Sequence, residues 1–286
     1  MSEGSAGALP TAAELSARRV ALQTVLQGMG NVLVTFSGGV DSALLLKVAV
    51  DTLGDGAVAL TAASPTLPPE EIEDARRFAA SIGVRHLVVE AHELEREGYA
   101  RNEGNRCYFC KTELFDLARD VAAREGFLWV ADGTILDDLG AHRPGLVAAT
   151  EHTVRHPLVE AGFRKSDVRG MAQELGLSVW DKPSFACLGS RFAVGTRVTL
   201  ERVDRVRRVE SRLRSLGFRQ FRVRFHLLDG EELVRVELDL PELGRIVEPG
   251  VREAVVMACE VEGIRWITLD LLGYRSGSTS ARPLRA

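Results

Sequence analysis

The chain has 286 residues, of which 45% are hydrophobic and 27% are charged, and its formal net charge is −4. This composition suits a globular protein with a large buried core, and the slightly acidic balance gives no electrostatic argument for binding nucleic acid or a membrane surface. No apolar run approaches the ~20 residues that a bilayer-spanning helix needs, and the first residues lack the pattern of a signal peptide. We therefore expect a cytoplasmic protein whose thiols stay reduced.

Short apolar runs alternate with helical patterns over the first two thirds of the chain. The pattern predicts helices at 13–27, 43–53, 111–125 and 165–175, a further helix that begins near residue 68, and strands at 31–36, 57–62, 86–90 and 128–131. This alternation predicts an α/β fold with a parallel sheet covered by helices on both faces. Ligands of such sheets bind beyond the carboxyl ends of the strands, where this assignment places Ser37, Ser64, His92 and Asp132.

The pattern changes after residue 195. A helix at 201–216 is rich in arginine, and the segments 221–226 and 234–238 alternate apolar and charged residues, which predicts strands with one solvated face. A helix at 251–262 and a strand at 266–271 complete a small α+β domain. The predicted domains are 12–190 and 196–273, with disordered tails at 1–11 and 276–286.

A glycine-rich loop with the sequence SGGVDS, residues 37–42, lies between a predicted strand and a predicted helix. Two glycines let the backbone approach a phosphate, and the N–H groups at the start of the helix donate to anions. Ser37 and Ser42 add hydroxyl donors, and Asp41 can hold the Mg²⁺ that accompanies pyrophosphate. A plain glycine turn is the alternative, but it leaves the rest of the string unexplained. The loop lacks the lysine of a kinase-type phosphate loop.

The loop resembles the PP-loop of the ATP pyrophosphatase superfamily, whose members adenylate a carbonyl or carboxylate and release pyrophosphate. Other segments are similar to that superfamily in the same order, namely 132–134, 143–145, 165–169, 175–177 and 182–183. Each segment alone is ordinary turn or helix chemistry, so the weight lies in their order along one chain. The resemblance implies that Ser37, Gly38, Gly39, Asp41, Ser42, Ser64, Gly133, Thr134 and Arg143 bind ATP and Mg²⁺.

Four cysteines occur in the chain, namely Cys107, Cys110, Cys187 and Cys259. The C-x₂-C spacing of the first two lets one metal take both sulfurs, although two half-buried thiols are the alternative. Cys187 lies among Gly, Ser and Arg191, which favours a reactive thiolate over a core cysteine. Cys259 lies in an apolar run and is predicted to be core. If the other three converge, they are one thiolate short of a closed zinc site and suit a [4Fe–4S] cluster with one open iron.

With these residues, the chain resembles the LarE family of ATP-dependent sulfur transferases, which act in the synthesis of the nickel-pincer nucleotide cofactor. The resemblance runs through residues 37–42, 64–65, 105–111, 132–145, 182–191, 222–226 and 269–278. It implies that the substrate is pyridinium-3,5-dicarboxylate mononucleotide and that an adenylated carboxylate becomes a thiocarboxylate. One version of the family sacrifices a cysteine sulfur, and the other carries an extra sulfide on a [4Fe–4S] cluster.

The resemblance also implies roles for single residues. Cys187 matches the sulfur-bearing position, Cys107 and Cys110 add the pair of the cluster version, and Lys111 neutralises charge on the acyl-adenylate. The implied ligands of the substrate phosphate or carboxylates are Arg222, Arg224, Glu210 and Arg275. For Arg222 and Arg224 the alternative is a solvated strand face. Ile135 departs from the pattern, because a polar residue is usual there, and Asp137 and Asp138 are the nearby candidates.

The favoured interpretation is therefore a cluster-type sulfur transferase that uses ATP, Mg²⁺ and a [4Fe–4S] cluster and acts on a small nucleotide. Its sulfide donor is not readable from the sequence. By resemblance, a homo-oligomer is expected, with substrate residues in the smaller domain. The alternatives are a single-use Cys187 donor, a tRNA thiolase or amidating synthetase, and a non-catalytic ATP sensor with structural zinc. Net acidity argues against the tRNA thiolase, and ATP held without hydrolysis would mark the sensor.

Overall fold

The structure is a computed structural model that describes residues 10–140, 143–183, 186–275 and 278. Over this part of the chain the strands are β1 (Val32–Thr35), β2 (Ala57–Ala63), β3 (His86–Glu90), β4 (Val130–Ala131), β5 (Phe221–Leu228), β6 (Glu231–Leu238) and β7 (Trp266–Leu269). The α-helices are α1 (Ala12–Met29), α2 (Val40–Leu53), α3 (Pro69–Ser81), α4 (Glu97–Arg101), α5 (Arg106–Glu125), α6 (Leu136–Leu139), α7 (Pro144–Glu151), α8 (Pro157–Glu160), α9 (Lys165–Glu174), α10 (Leu200–Ser215), α11 (Leu243–Ile246) and α12 (Pro249–Val261).

The chain divides into two compact units. The first comprises residues 1–64, 69–91 and 107–185, and the second comprises residues 65–68, 92–106 and 186–286. The segment 92–106 lies inside the range predicted for the nucleotide-binding domain, yet it packs with the second unit. Asn102 shows why, because its side-chain amide donates to the backbone carbonyls of Ala193 and Thr196 at 2.8 and 3.1 Å.

The tails predicted to be disordered fall mostly outside the described residues. Residues 1–9, 276–277 and 279–286 are not described. Thr11, within the first of those tails, forms a capping box with Glu14 and fixes the start of α1.

The first unit is built on a parallel sheet with the strand order β3-β2-β1-β4. One apolar layer packs side chains of α1, α2, α3 and α9 against the sheet, and a second layer packs side chains of α5 and α7 against its other face. The predicted α/β class is therefore confirmed. The chain leaves β1 toward β2 and β3 and later returns to the other side of β1 as β4. This reversal opens a crevice at the carboxyl ends of β1 and β4, which is where such sheets bind ligands.

The second unit is a small α+β arrangement around a sheet with the order β5-β6-β7. β5 and β6 form an antiparallel hairpin in which Leu228 pairs with Glu231 across the two-residue turn Asp229-Gly230, and β6 pairs with β7 in parallel. The prediction of one solvated face is wrong for β5, because both its apolar and its charged residues are buried from Phe221 to Phe225. The charged face of β5 meets buried charged partners instead of water.

No helix in the described part of the chain combines the length and the apolar character that crossing a membrane requires.

Candidate active site

The phosphate loop follows β1 and leads directly into α2. Gly38 has φ +73°, a conformation that favours glycine, and Gly39 caps α2 without a side-chain hydrogen bond. The hydroxyl of Ser42 accepts from the backbone N–H of Ser37 at 3.3 Å and donates to the carbonyl of Gly39 at 3.1 Å. These two bonds hold the loop closed around the amino-terminal end of α2, where free N–H groups and the helix dipole favour an anion.

The turn after β4 is packed against this loop. A methyl group placed on Gly133 would come within 2.7 Å of the Ser42 nitrogen and 3.0 Å of the Asp41 carbonyl carbon. Both contacts are with backbone atoms that cannot move aside cheaply. The predicted neighbourhood of Gly133, Asp41 and Ser42 is therefore present within the first unit.

Asp41, the predicted Mg²⁺ ligand, has a cationic partner that the sequence did not indicate. The ammonium of Lys165, the first residue of α9, donates to both Asp41 carboxylate oxygens at 2.7 Å. The backbone N–H of Lys165 donates to Asp137 at 3.0 Å, which fixes the start of the helix. Both side chains are partly exposed, so the ion pair is accessible from solvent.

Asp132 directly follows β4 and is a buried carboxylate at the switch point of the sheet. It accepts a hydrogen bond from Nδ1 of His156 at 2.7 Å and from the backbone N–H of Thr134 at 3.1 Å, and Lys111 Nζ lies 3.9 Å away. Burial alone would raise the pKa of the Asp132 carboxyl, but the His156 hydrogen bond and the Lys111 charge outweigh it and lower that pKa to about 2. The carboxylate is therefore ionised. No motif in the sequence pointed to His156.

The other predicted nucleotide ligands lie near strand ends or in local pairs. Ser64 directly follows β2 and is half-buried, whereas Arg143 forms an ion pair with Asp138 at 2.5 Å. Ile135 is buried in the apolar layer, which explains why this position carries no polar side chain here. Asp138 also accepts from the backbone N–H of Ile135 at 3.1 Å.

Cys107 and Cys110 lie in the first two turns of α5, three residues apart and therefore on one face of the helix. Cys107 is exposed and Cys110 is half-buried. Lys111 follows, with Nζ 5.3 Å from the ring centre of Phe115 and with its stem packed beside Gly145 of α7. Two accessible sulfurs on one helical face fit two ligands of one metal or cluster.

Cys187 lies in the second unit, in a segment held by a buried arginine. The guanidinium of Arg191 is 1% exposed and binds both oxygens of Glu210 at 2.8 and 3.0 Å. Its remaining nitrogen donates to the carbonyls of Ala186 at 2.6 Å and of Cys187 at 3.3 Å. Arg191 therefore acts on the backbone that carries Cys187, and Glu210 balances its charge.

A network of buried charges surrounds this segment. Arg224 donates to Glu237 at 2.9 Å and to the carbonyl of Ser190 at 3.1 Å. Burial lowers the pKa of the Arg222 and Arg224 guanidinium groups, yet arginines keep their charge at such shifts. Arg222 lies 5.0 Å from the ring centre of Tyr274. Among the described residues, the members of this network are Arg191, Arg222, Arg224, Arg235, Arg275, Glu210, Glu237 and Asp270.

The structure brings the predicted residues together in two groups. The first unit holds the phosphate loop, Gly133, Thr134 and the C-x₂-C pair, and the second holds Cys187 with Glu210, Arg222, Arg224 and Arg275. Within residues 10–140, 143–183, 186–275 and 278, no three His, Cys, Asp or Glu side chains are grouped as a metal site. The three-cysteine site thus stays a prediction. Cys259 is buried, as predicted, and burial raises the pKa of its thiol to about 12.

Known proteins resemble the chain both over the loop region and over nearly its whole length. The NAD synthase family matches residues 17–114, a range that includes the phosphate loop. An uncharacterized protein of Synechocystis sp. is 45% identical over 245 residues, which are 86% of this chain and 90% of that protein. The pyridinium-3,5-bisthiocarboxylic acid mononucleotide synthase of Lactiplantibacillus plantarum is 37% identical over 266 residues, which are 93% of this chain and 94% of the synthase.

A third protein is similar to the chain over part of its length. A tRNA-specific 2-thiouridylase of Caulobacter sp. (strain K31) is 30% identical over 196 residues, but the match spans 53% of this chain and 46% of the thiouridylase. The match to NAD synthases and the loop geometry identify the first unit as an ATP-using PP-loop domain of an enzyme. The full-length similarity to the synthase settles the assignment, and the chain belongs to the LarE family.

Proposed function

We propose that this protein is an ATP-dependent sulfur transferase. In this proposal it adenylates a carboxylate of pyridinium-3,5-dicarboxylate mononucleotide, releases pyrophosphate and converts the acyl-adenylate to a thiocarboxylate. The observation that carries the proposal is the 37% identity to the bisthiocarboxylic acid mononucleotide synthase over more than nine tenths of both chains. The site geometry is consistent with each half of this reaction.

For the adenylation half, the first unit supplies a phosphate loop and a cation-binding carboxylate. The N–H groups at the start of α2 and the hydroxyls of Ser37 and Ser42 would hold the pyrophosphate portion of ATP. Asp41 fits an Mg²⁺ ligand, because its carboxylate is partly exposed and already binds a cation, the Lys165 ammonium. Bound Mg²⁺ would neutralise phosphate charge, and Lys165 would then be released to a phosphate oxygen.

For the sulfur half, Lys111 would face the negative charge that develops on the acyl-adenylate. The sulfur nucleophile attacks the acyl carbon, a C–S bond forms, the C–O bond to AMP breaks, and AMP leaves as an anion. An ammonium placed where this charge develops stabilises the transition state. Two observations support this role, namely that Lys111 follows the C-x₂-C pair on α5 and that its ammonium lies 3.9 Å from the Asp132 carboxylate, directly after β4.

The sulfur source in this proposal is a [4Fe–4S] cluster with an extra sulfide, held by Cys107, Cys110 and Cys187. The accessible pair on α5 fits two of its ligands, and the third assignment rests on the sequence resemblance. The bound cluster would supply the transferable sulfide. A single-use Cys187, which would give up its own sulfur, is the alternative within the same family.

Substrate binding is proposed for the arginine-rich network of the second unit. Arg222 and Arg224 are buried guanidinium groups, and Arg275 is partly buried beside Asp270. A phosphate or carboxylate of the substrate would accept charge-assisted hydrogen bonds from such groups. Glu210 would act within this network by orienting Arg191, to which both its oxygens are bound.

The first experiment mixes anaerobically purified protein with ATP, Mg²⁺ and the dicarboxylate nucleotide. We expect pyrophosphate release that depends on the nucleotide, and a product in which one oxygen has been exchanged for sulfur, as detected by mass spectrometry. Asp41→Asn should lose pyrophosphate release, whereas Asp51→Asn, on the far end of the same helix, should retain it. Pyrophosphate release that needs no nucleotide, or that responds to tRNA instead, would contradict the proposal.

A second experiment tests the cluster by iron and acid-labile sulfide analysis. About four irons per chain are expected, and Cys107→Ala, Cys110→Ala and Cys187→Ala should each lower the iron content. Cys259→Ala is the matched control, because Cys259 is buried and lies in α12. If the wild-type protein holds no iron after anaerobic reconstitution, a mass loss of roughly 34 Da at Cys187 after reaction would indicate the single-use donor.

A further inference from the structure

The two oxygens of Asp132 have different partners. Oδ1 accepts from Nδ1 of His156 at 2.7 Å and from the backbone N–H of Thr134 at 3.1 Å. Oδ2 is the oxygen nearest the Lys111 ammonium, at 3.9 Å. Two donors therefore anchor one side of the carboxylate and leave the other side to Lys111.

The anchoring is tight because Asp132 is buried, with 5% of its surface exposed, and sits directly after β4. His156 is the residue before α8, and its side chain is 21% exposed. Since an ionised carboxylate can only accept, His156 must carry its proton on Nδ1. The imidazole thus acts on Asp132 as a fixed donor.

Lys111 has few other restraints among the described residues. Its stem packs beside Gly145, where an added methyl group would lie 3.0 Å from its Cγ, and its ammonium lies over the Phe115 ring. These contacts hold the aliphatic stem, but they do not aim the ammonium along one direction. Asp132 is the ionised group that lies beside it, at the crevice where the sheet changes direction.

We infer that Asp132 and His156 are a positioning pair that holds the Lys111 ammonium at the carboxyl end of β4. His156 fixes Asp132, and Asp132 fixes Lys111. The inference rests on the proposed function for the role of Lys111 in catalysis, but the placement of the ammonium does not depend on that function. His156 acts here through its Nδ1–H donor, and it performs no proton transfer.

The first test measures the chemical labelling of Lys111 in the absence of substrate, which reports whether its ammonium is held in place. The chain has four lysines, so partial acetylation followed by mass spectrometry can follow each of them. We expect Asp132→Asn and His156→Leu to raise the labelling rate of Lys111 roughly threefold or more, because its ion-pair partner is lost or displaced. Lys47, which pairs with Asp51 on α2, is the internal control and should not change.

The conservative variant His156→Asn separates positioning from proton transfer. Its side-chain amide can place an N–H near the position of Nδ1, so it should restore wild-type labelling and most of the sulfur-transfer rate. If His156 were a general base, His156→Asn would be as inactive as His156→Leu. That result would overturn the inference.

A double-mutant cycle then tests whether Asp132 acts through Lys111. The rate of thiocarboxylate formation should fall about 10- to 100-fold in Asp132→Asn, and Lys111→Ala/Asp132→Asn should be no slower than Lys111→Ala alone. The positioning pair would be refuted if the losses in rate of the two single variants multiplied in the double variant. It would also be refuted if Lys111 labelling were unchanged in both Asp132→Asn and His156→Leu. Altered labelling in a protein that makes no thiocarboxylate would leave the pair in place and refute the proposed function instead.

Discussion

The two units of this protein use charge differently. In the first unit, a few partly exposed side chains surround a loop whose main contribution is backbone N–H groups, and the Asp41–Lys165 pair is partly exposed to solvent. In the second unit, guanidinium groups and carboxylates are buried together around the segment that carries Cys187. Such a buried network is costly to assemble and costly to break, whereas the loop depends on shape more than on any single charge.

This difference suggests a division of labour. A loop of backbone donors suits phosphate, which varies little between substrates and is bound by many nucleotide enzymes. In the proposed function, the buried arginine network binds one particular anionic substrate, and its geometry is fixed before binding. Variants that break the network should therefore damage stability first, and variants of the loop should damage nucleotide binding first.

The largest expected effect is at the centre of the second unit. Arg191→Met leaves the Glu210 carboxylate buried without its cation, which costs about 3–5 kcal/mol of unfolding free energy. The same change releases the carbonyls of Ala186 and Cys187. Urea denaturation measures the free energy of unfolding. The alkylation rate of Cys187 in the folded protein measures how firmly the segment that carries it is held. A stable variant with unchanged Cys187 reactivity would show that the network does not hold this segment.

Gly133→Ala is expected to damage the phosphate loop of the first unit. The new methyl group would lie 2.7 Å from the Ser42 nitrogen, so the loop must shift, at a cost of about 1–3 kcal/mol. We expect ATP affinity, measured by calorimetry, to fall at least tenfold as the N–H groups lose their alignment. Gly140→Ala is the matched control, since a methyl group there meets no atom within 4 Å. Equal ATP affinity in both variants would contradict the packing argument.

A smaller effect is expected from the pH dependence of Asp132. Its pKa is lowered to about 2 from an ordinary 3.8, so its ionised form stabilises the fold above about pH 4. That contribution, about 2 kcal/mol, is lost as the pH falls toward 2. The stability difference between the wild type and Asp132→Asn should therefore be constant from pH 7 to 5 and shrink below pH 4. A difference that does not change with pH would show that the carboxylate charge does not contribute.

The smallest effect is expected at an exposed ion pair of the second unit. Arg197 binds both oxygens of Glu97 at 2.7 and 2.8 Å, with geometry as good as that of the buried Arg191–Glu210 pair. Because both partners are in solvent, Arg197→Met should leave the melting temperature unchanged within error. A marked decrease would mean that bond geometry, and not burial, distinguishes the two pairs.

The sequence allowed prediction of those parts that depend on local patterns. The PP-loop, the alternation of strands and helices, and the buried Cys259 all follow from short stretches of residues, and the α/β class was confirmed. The roles assigned to single site residues remain predictions.

Other features were not predictable from one sequence because they join distant positions. Lys165 and Asp41 are separated by 124 positions, and His156 and Asp132 by 24. The alternation in β5 was interpreted as a solvated face, since charged residues are usually exposed. Only the fold shows that Arg224 faces Glu237 across the hairpin, where each neutralises the other.

The Asp41–Lys165 pair has a consequence for how the nucleotide is loaded. The carboxylate beside the phosphate loop is never a bare negative charge, because the chain provides an ammonium on both of its oxygens. An incoming polyphosphate therefore meets a neutral pair instead of a repelling anion. In the proposed function, loading would be an exchange of partners in which Mg²⁺ binds Asp41 and a phosphate oxygen binds Lys165. The exchange would leave no charge unmatched, so Lys165 and Asp41 would serve each other as internal substitutes for the metal and the phosphate.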